Sequence, residues 1–262
     1  KKKINDLFKY NKFEYVFHFA AQAGVRYSIE NPIIYYENNI KGFFNILDSC
    51  RIYKAKSLFF ASSSSVYGDQ KKFPIKENFN SNNPKSFYAA TKKCNEIIAH
   101  SYSHLYKMKI IGLRFFTVYG PLGRPDMTPF SFLNKHYQGK HIDIFNKGNH
   151  ERDFTYIDDV VKLTLLASNN FRKSKSKSPP YRILNVGSSS PIKLSKFINI
   201  IEKILNIKSK KRMLTLQPGD MIKTYSNSTK IFKLCKYTIK SNHYENVLKF
   251  INWFKQYYFK KI

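Results

Sequence analysis

Short apolar runs alternate along this chain with longer stretches of helical apolar spacing, and that alternation most restricts what it can fold into. Residues 14–21, 57–62, 109–116 and 182–186 read as buried strands, while residues 32–50, 87–106 and 158–167 carry apolar side chains at helical intervals. Strands separated by helices of this length require crossover connections, and crossovers give a parallel sheet with helices on its faces. The expected fold class is α/β. Ligands of open parallel sheets gather beyond the carboxyl ends of the strands, where residues 20–26, 63–65 and 117–120 fall. After Val186 the pattern loosens into a helix over 194–205, a short basic strand near Arg212 and an amphipathic helix over 244–258, together a smaller α+β lobe. Residues 171–180, polar and closed by two prolines, read as an exposed loop.

Composition narrows the function. A hydrophobic content of 42% excludes general disorder, and the formal charge of +29 raises the question of a polyanionic partner. Only eight of the 46 basic residues are arginine, the side chain suited to bidentate recognition of phosphates and bases. The lysine excess, alongside abundant Asn, Ile, Phe and Tyr, reads instead as the imprint of an AT-rich genome, so neither a specific nucleic-acid partner nor a membrane partner is expected. Cys50, Cys94 and Cys235 are far apart and form no Cys-x-x-Cys, which predicts inert thiols in a reducing cytoplasm and no metal site. No apolar run approaches the length of a membrane span.

One constellation carries chemistry. Ser63, Ser64 and Ser65 stand at the exit of the strand over 57–62, and Tyr88 with Lys92 follows, one helical turn apart. The tyrosine motif alone is weak, because Tyr67 with Lys71 and Tyr257 with Lys261 repeat it in polar or terminal surroundings. Only Tyr88 opens a helix-patterned segment directly after a strand-like run. Oxidising a secondary alcohol needs a base for its hydroxyl proton, and a phenol with a pKa near 10 needs help to serve. Lys92 is expected to stabilise the phenolate by its charge, and Ser63 to orient the hydroxyl being oxidised.

From Phe17 to about Asp220 the chain resembles the extended short-chain dehydrogenase/reductases, the NAD-dependent epimerase/dehydratase family, and most closely UDP-glucuronate 4-epimerases. The matching strings are His18 to Ser28, Ser62 to Gly68, Ser86 to Lys92, Leu113 to Pro121, Gly123 to Met127, Arg152 to Val160 and Gln217 to Asp220. The resemblance implies a Rossmann-like sheet, NAD as cofactor and a UDP-sugar as substrate. It implies a partial NAD-binding domain over 1–120 and 154–187 and a nucleotide-sugar lobe over 121–153 and 188–262. By the same resemblance Phe19, Ala20, Ala21, Asn39 and Phe115 join Tyr88 and Lys92 around the cofactor. Ser64, Ser65, Thr117, Arg124, Arg152 and Asp220 meet the substrate, the arginines at the diphosphate and uridine. Taken alone, Phe19 and Phe115 read as core aromatics, Arg124 and Arg152 as surface ion pairs, and His18 as a core histidine.

The serine run also separates reactions. Resembling dehydratases carry Thr-Asp-Glu before Val-Tyr-Gly and decarboxylases Thr-Ser-Glu, whereas this chain has Ser63-Ser64-Ser65 before Val66-Tyr67-Gly68. Without those carboxylates the expected chemistry is oxidation and re-reduction of one carbon, which is epimerisation at C4. The alternatives are a UDP-glucose or UDP-N-acetylglucosamine 4-epimerase, or a catalytically impaired scaffold that binds anionic partners. Family members also open with a glycine-rich turn some sixty residues earlier. Nothing before Gly24 holds a glycine, so an N-terminally shortened chain is expected. The helices over 32–50 and 87–106 are expected to form a homodimer interface.

Overall fold

The computed structural model describes residues 1–173, 180–216, 221–240 and 242–259. Its strands are β1 (Tyr15–His18), β2 (Ser57–Ser63), β3 (Lys109–Phe115), β4 (Thr117–Tyr119), β5 (Ile142–Phe145), β6 (Glu151–Arg152), β7 (Phe154–Tyr156), β8 (Tyr181–Val186), β9 (Ile192–Lys193) and β10 (Lys211–Leu214). The helices are α1 (Lys2–Asn11), α2 (Tyr27–Glu30), α3 (Pro32–Tyr35), α4 (Gly42–Ile52), α5 (Phe87–Tyr106), α6 (Thr128–Tyr137), α7 (Ile157–Lys173), α8 (Leu194–Leu205), α9 (Thr229–Cys235) and α10 (His243–Phe259).

The main sheet has the order β1-β2-β3-β8, and every neighbouring pair is parallel. Side chains alternate across it. Leu58, Phe60 and Ile110 face Phe8, Phe43, Leu47 and Ala99 of α1, α4 and α5, whereas Phe59, Ile111 and Leu113 face Leu163, Phe171 and Ile231 of α7 and α9. Both faces are covered, so the strands read as continuous apolar runs rather than alternating ones. Burial of each large core side chain contributes about 1.5–3 kcal/mol. At the sheet centre Gly112 leaves the space its neighbours occupy, since a Cβ there would stand 2.5 Å from Ile183 Cδ1 and 2.7 Å from Phe60 Cζ.

A second core lies apart from the sheet. Phe132, Leu133, Ile142, Ile144, Phe154, Phe197, Phe250 and Phe254 pack β5 and β7 against α6, α8 and α10. β5 pairs with β10 in parallel, β4 with β7 in parallel and β6 with β9 antiparallel.

Several expectations need correction. The strand expected over 14–21 ends at His18, because the chain turns away to line a cleft. The helix expected over 32–50 is continuous in its path but widens into a π turn over Tyr36–Lys41 before α4. Phe171 belongs to α7 and the sheet core rather than to a loop, and residues 174–179 of that expected loop lie outside the described residues. Tyr67 is buried and donates its hydroxyl to Asn185 at 2.6 Å, so it is a core residue rather than a polar surface one. Lys261, in the third tyrosine motif, lies outside the described residues.

Candidate active site

Tyr88 is the second residue of α5, whose start is fixed by Ser86: its side chain accepts a hydrogen bond from the Ala89 N–H. The Tyr88 N–H, one of those with no partner inside the helix, donates to Ser28 Oγ at 3.1 Å. Ser63 ends β2 and caps the 3₁₀ turn Ser64–Tyr67, accepting from Ser65 N–H and donating to Ser65 Oγ, both at 3.2 Å. The Ser63 hydroxyl is near enough to the Tyr88 phenol to lower it. Strand exit, turn and helix N-terminus thus meet at one point beyond the carboxyl end of the sheet.

Electrostatics at that point differ from the expectation in one respect. Burial pushes the Tyr88 phenol above its ordinary value, and the opposing pulls come from the Ser63 hydroxyl and the Arg124 charge. The Lys92 ammonium donates to Ala61 O at 2.9 Å and lies 5.8 Å from the Tyr88 ring centroid. It lies over the ring, and the Arg124 charge also lowers the phenol. Burial pushes Lys92 down to about 8. Behind it His18, packed 5.8 Å from the Phe43 ring, is held neutral, pushed down to about 4 by burial and then by the Lys92 charge.

The sign of the Lys92 shift gives a stability prediction. Its folded value lies below 10.5, so between pH 8 and 10.5 the unfolded chain binds more protons and stability rises with pH. Below pH 8 the buried ammonium costs stability in full. Lys92→Met should therefore raise stability at pH 7 by about 2–3 kcal/mol while abolishing activity. Thermal melts check this, and an unchanged or lower midpoint would show that the ammonium is not a net burden.

The segment after β1 forms the near wall of a cleft. Asn39, buried in the π turn, accepts from Gln22 N–H at 2.8 Å and donates to Gln22 O at 3.0 Å and to Thr91 Oγ1 at 3.1 Å. Its amide is spent on the chain itself, tying this wall to α5. The Tyr35 hydroxyl lies within hydrogen-bonding reach of Ala23 O at 2.9 Å and Gly24 O at 2.6 Å, and Gly24 has φ +110°, a conformation that favours glycine. The cleft has a volume of about 910 Å³ and runs from Gln22–Tyr27 to Arg124, Phe145 and Arg152, with Thr117 on its floor. Across it Arg26 stands 5.0 Å from the Phe145 ring centroid.

The structure therefore joins Ser63, Tyr88 and Lys92 and brings Thr117, Arg124 and Arg152 into one cleft. Arg124 makes a two-pronged ion pair with Asp126 at 2.8 and 3.0 Å and also acts on Tyr88, so ion pairing and site position coexist. Arg152 Nη1 donates to Ile222 O at 3.0 Å. Ser64 is buried in the 3₁₀ turn. Phe19 is 43% exposed, not a core aromatic, and meets the half-buried Phe115 edge to face at 5.7 Å. Ala20 and Ala21 follow Phe19 beyond β1. Asp220 lies outside the described residues. Sequence reasoning gave no role to Arg26, although residues 20–26 fall where ligands of such sheets gather, nor to Phe145, which ends β5 at the cleft.

Comparisons with known proteins concern the chain as a whole. The model of the NAD dependent epimerase/dehydratase family matches residues 1–187. Protein CapI of Staphylococcus aureus is 44% identical over 258 residues, which cover 94% of this chain and 77% of that protein. UDP-glucuronate 4-epimerase 4 of Arabidopsis thaliana is 42% identical over 266 residues, 97% of this chain and 61% of that protein. The crystal structure of UDP-glucuronic acid 4-epimerase from Bacillus cereus, in complex with UDP-glucuronic acid and NAD, superposes with a TM-score of 0.89. It is 30% identical, with 97% of this chain and 79% of that one covered.

Proposed function

The chain belongs to the NAD dependent epimerase/dehydratase family, and on that footing we propose that it inverts C4 of a UDP-sugar, converting UDP-glucuronate to UDP-galacturonate through a 4-keto intermediate. The observation that carries the reading is the meeting of Ser63, Tyr88 and Lys92 beside a cleft lined by Arg26, Arg124 and Arg152. The residues fit a dinucleotide: Phe19 leaves an apolar face open beyond the sheet, and Lys92 is a buried cation paired with no carboxylate among the described residues. Bound there, NAD would supply the acceptor and donor of the C4 hydride.

The chain's own residues do the rest. Tyr88 takes the C4 hydroxyl proton and gives it back, Ser63 holds that hydroxyl, and the Arg124 charge lowers the cost of the phenolate. Lys92 holds the cofactor. Arg124 and Arg152 neutralise the diphosphate, and Phe145 offers a ring on which a base stacks. Because a 4-keto glucuronate is a β-keto acid, its carboxylate must be held without hastening loss of CO₂, and the hydroxyls of Ser64, Ser65 and Thr117 supply neutral donors for it. Phe19, Ala20, Ala21 and Phe115 line the cofactor, while Asn39 supports that wall from behind. Residues 1–120 with 154–187 serve NAD, and 121–153 with 188–262 serve the nucleotide sugar.

Incubating the protein with NAD and each UDP-sugar, then separating products, tests the substrate. Conversion of UDP-glucuronate to UDP-galacturonate is expected. Conversion of UDP-glucose or UDP-N-acetylglucosamine alone would replace the substrate, and no conversion of any would sink the reading. The protein acts as a cytoplasmic homodimer: Ile33, Tyr36, Phe44, Ile97 and Leu105 are exposed on the two helical segments expected to pair. A purely monomeric mass in sedimentation would exclude that assembly. Among the described residues no helix is long and apolar enough to cross a membrane.

A further inference from the structure

We infer that Asp153 is a positioning residue for nucleotide binding, setting the arm from which Arg152 reaches the diphosphate; this rests on the reading of Arg152 given above. Asp153 is fully buried, with no cation paired to it among the described residues, yet it is the most heavily bonded carboxylate of this region. Oδ1 accepts from Ser188 N–H at 2.9 Å and Ser188 Oγ at 2.6 Å. Oδ2 accepts from Ser189 N–H at 3.2 Å, Ser226 N–H at 2.8 Å and Ser226 Oγ at 2.5 Å. Burying a carboxylate is costly unless such bonds replace its hydration, and five donors do so here. One side chain thereby clamps the loop after β8 and the segment 222–228 onto the residue next to Arg152.

That segment is also what Arg152 leans on. Glu151 N–H donates to Ile222 O at 2.9 Å, Thr224 N–H donates to Glu151 O at 2.9 Å, and Asp153 N–H donates to Thr224 Oγ1 at 3.2 Å. The Arg152 guanidinium donates to the same Ile222 O at 3.0 Å, so the carbonyl that aims it belongs to the strip whose far end Asp153 holds. Close approach is built in at Gly187, where a Cβ would stand 2.4 Å from Ser226 Oγ and 3.1 Å from Asp153 Oδ2. A carboxylate that served only the core would have no reason to bridge the two strands of chain on either side of a cleft arginine.

Calorimetric titration with UDP, which cannot react, tests this on the full chain. Asp153→Asn turns one acceptor into a donor facing N–H groups. It should weaken UDP about tenfold and raise KM for the UDP-sugar by a similar factor, with kcat changed less than twofold. Arg152→Ala should weaken UDP at least as much, and adding Asp153→Asn to it should cause no further loss. If Asp153→Asn weakens UDP equally in both backgrounds, or not at all, the inference falls while the role of Arg152 stands. If Arg152→Ala leaves UDP binding unchanged, the reading of Arg152 falls and takes the inference with it. Should Asp153→Asn not fold, Ser226→Ala removes one donor of five; a loss of about threefold that vanishes in the Arg152→Ala background is expected, and a loss that persists there overturns the inference.

Discussion

Tyr88→Phe should lower kcat about 10³-fold while leaving UDP affinity within twofold of the wild type, because in the proposed mechanism the hydroxyl moves a proton and contributes little to holding the nucleotide. The phenol, lowered by Ser63 against the effect of burial, is the base of the proposed mechanism, in which its removal leaves the C4 hydroxyl without one. Its pH behaviour separates this role from simple orientation. Burial holds the phenol above its ordinary value, so the phenolate is scarce near neutrality and the wild-type rate should climb as pH rises. The residual rate of Tyr88→Phe should lack that climb. Arg124→Gln, which removes the charge pulling the phenol down, should move the climb to higher pH. A Tyr88→Phe enzyme with full activity, or one that keeps the wild-type pH profile, would overturn the assignment.

What the sequence revealed depended on how local the responsible physics was. α5 runs from Phe87 to Tyr106 as its spacing predicts, since Ser86 announces the start and an apolar stripe follows. β2, β3 and β8 were equally legible because strands buried on both faces leave unbroken apolar runs. α1 escaped notice: Lys2–Asn11 is largely polar and buries only Phe8 fully. At the site, the proximity of Ser63, Tyr88 and Lys92 followed from their context, a strand exit followed by a helix start, and not from the tyrosine spacing, which the chain repeats elsewhere. The direction of the Lys92 ammonium could not, because it is decided by Ala61 O, a carbonyl of β2. Asn39 shows the same limit, since its partner Gln22 is seventeen residues away and both ends of its amide are consumed there. The Asp153 cluster was the least visible, for its serines come from two separate loop-like stretches and acquire a partner only on folding.

The other large effect should fall on stability, at a pair that neither spacing nor composition links. Arg114 of β3 and Glu96 of α5 form a buried two-pronged ion pair, both bonds 2.7 Å long, and Ser62 Oγ donates to the same carboxylate at 2.6 Å. Arg114 also donates to Glu77 O at 3.2 Å and lies 4.6 Å from the Tyr67 ring centroid. The Glu96 carboxylate holds the guanidinium well above its usual range against the opposing effect of burial. Glu96→Gln keeps the shape but strands that charge, with Lys93, a second cation, 3.6 Å from the lost carboxylate. A loss of about 3–5 kcal/mol is expected, a large share of the roughly 5–15 kcal/mol that holds a folded domain together. Arg114→Met should cost less, since Lys93 remains to accompany Glu96. Denaturant titration orders the two, and the reverse order would mean that the guanidinium's packing on Tyr67, rather than its charge, dominates. The loss should reach activity as well, because Glu96 stands two turns along α5 from Tyr88: whatever loosens the pair loosens the helix that presents the base.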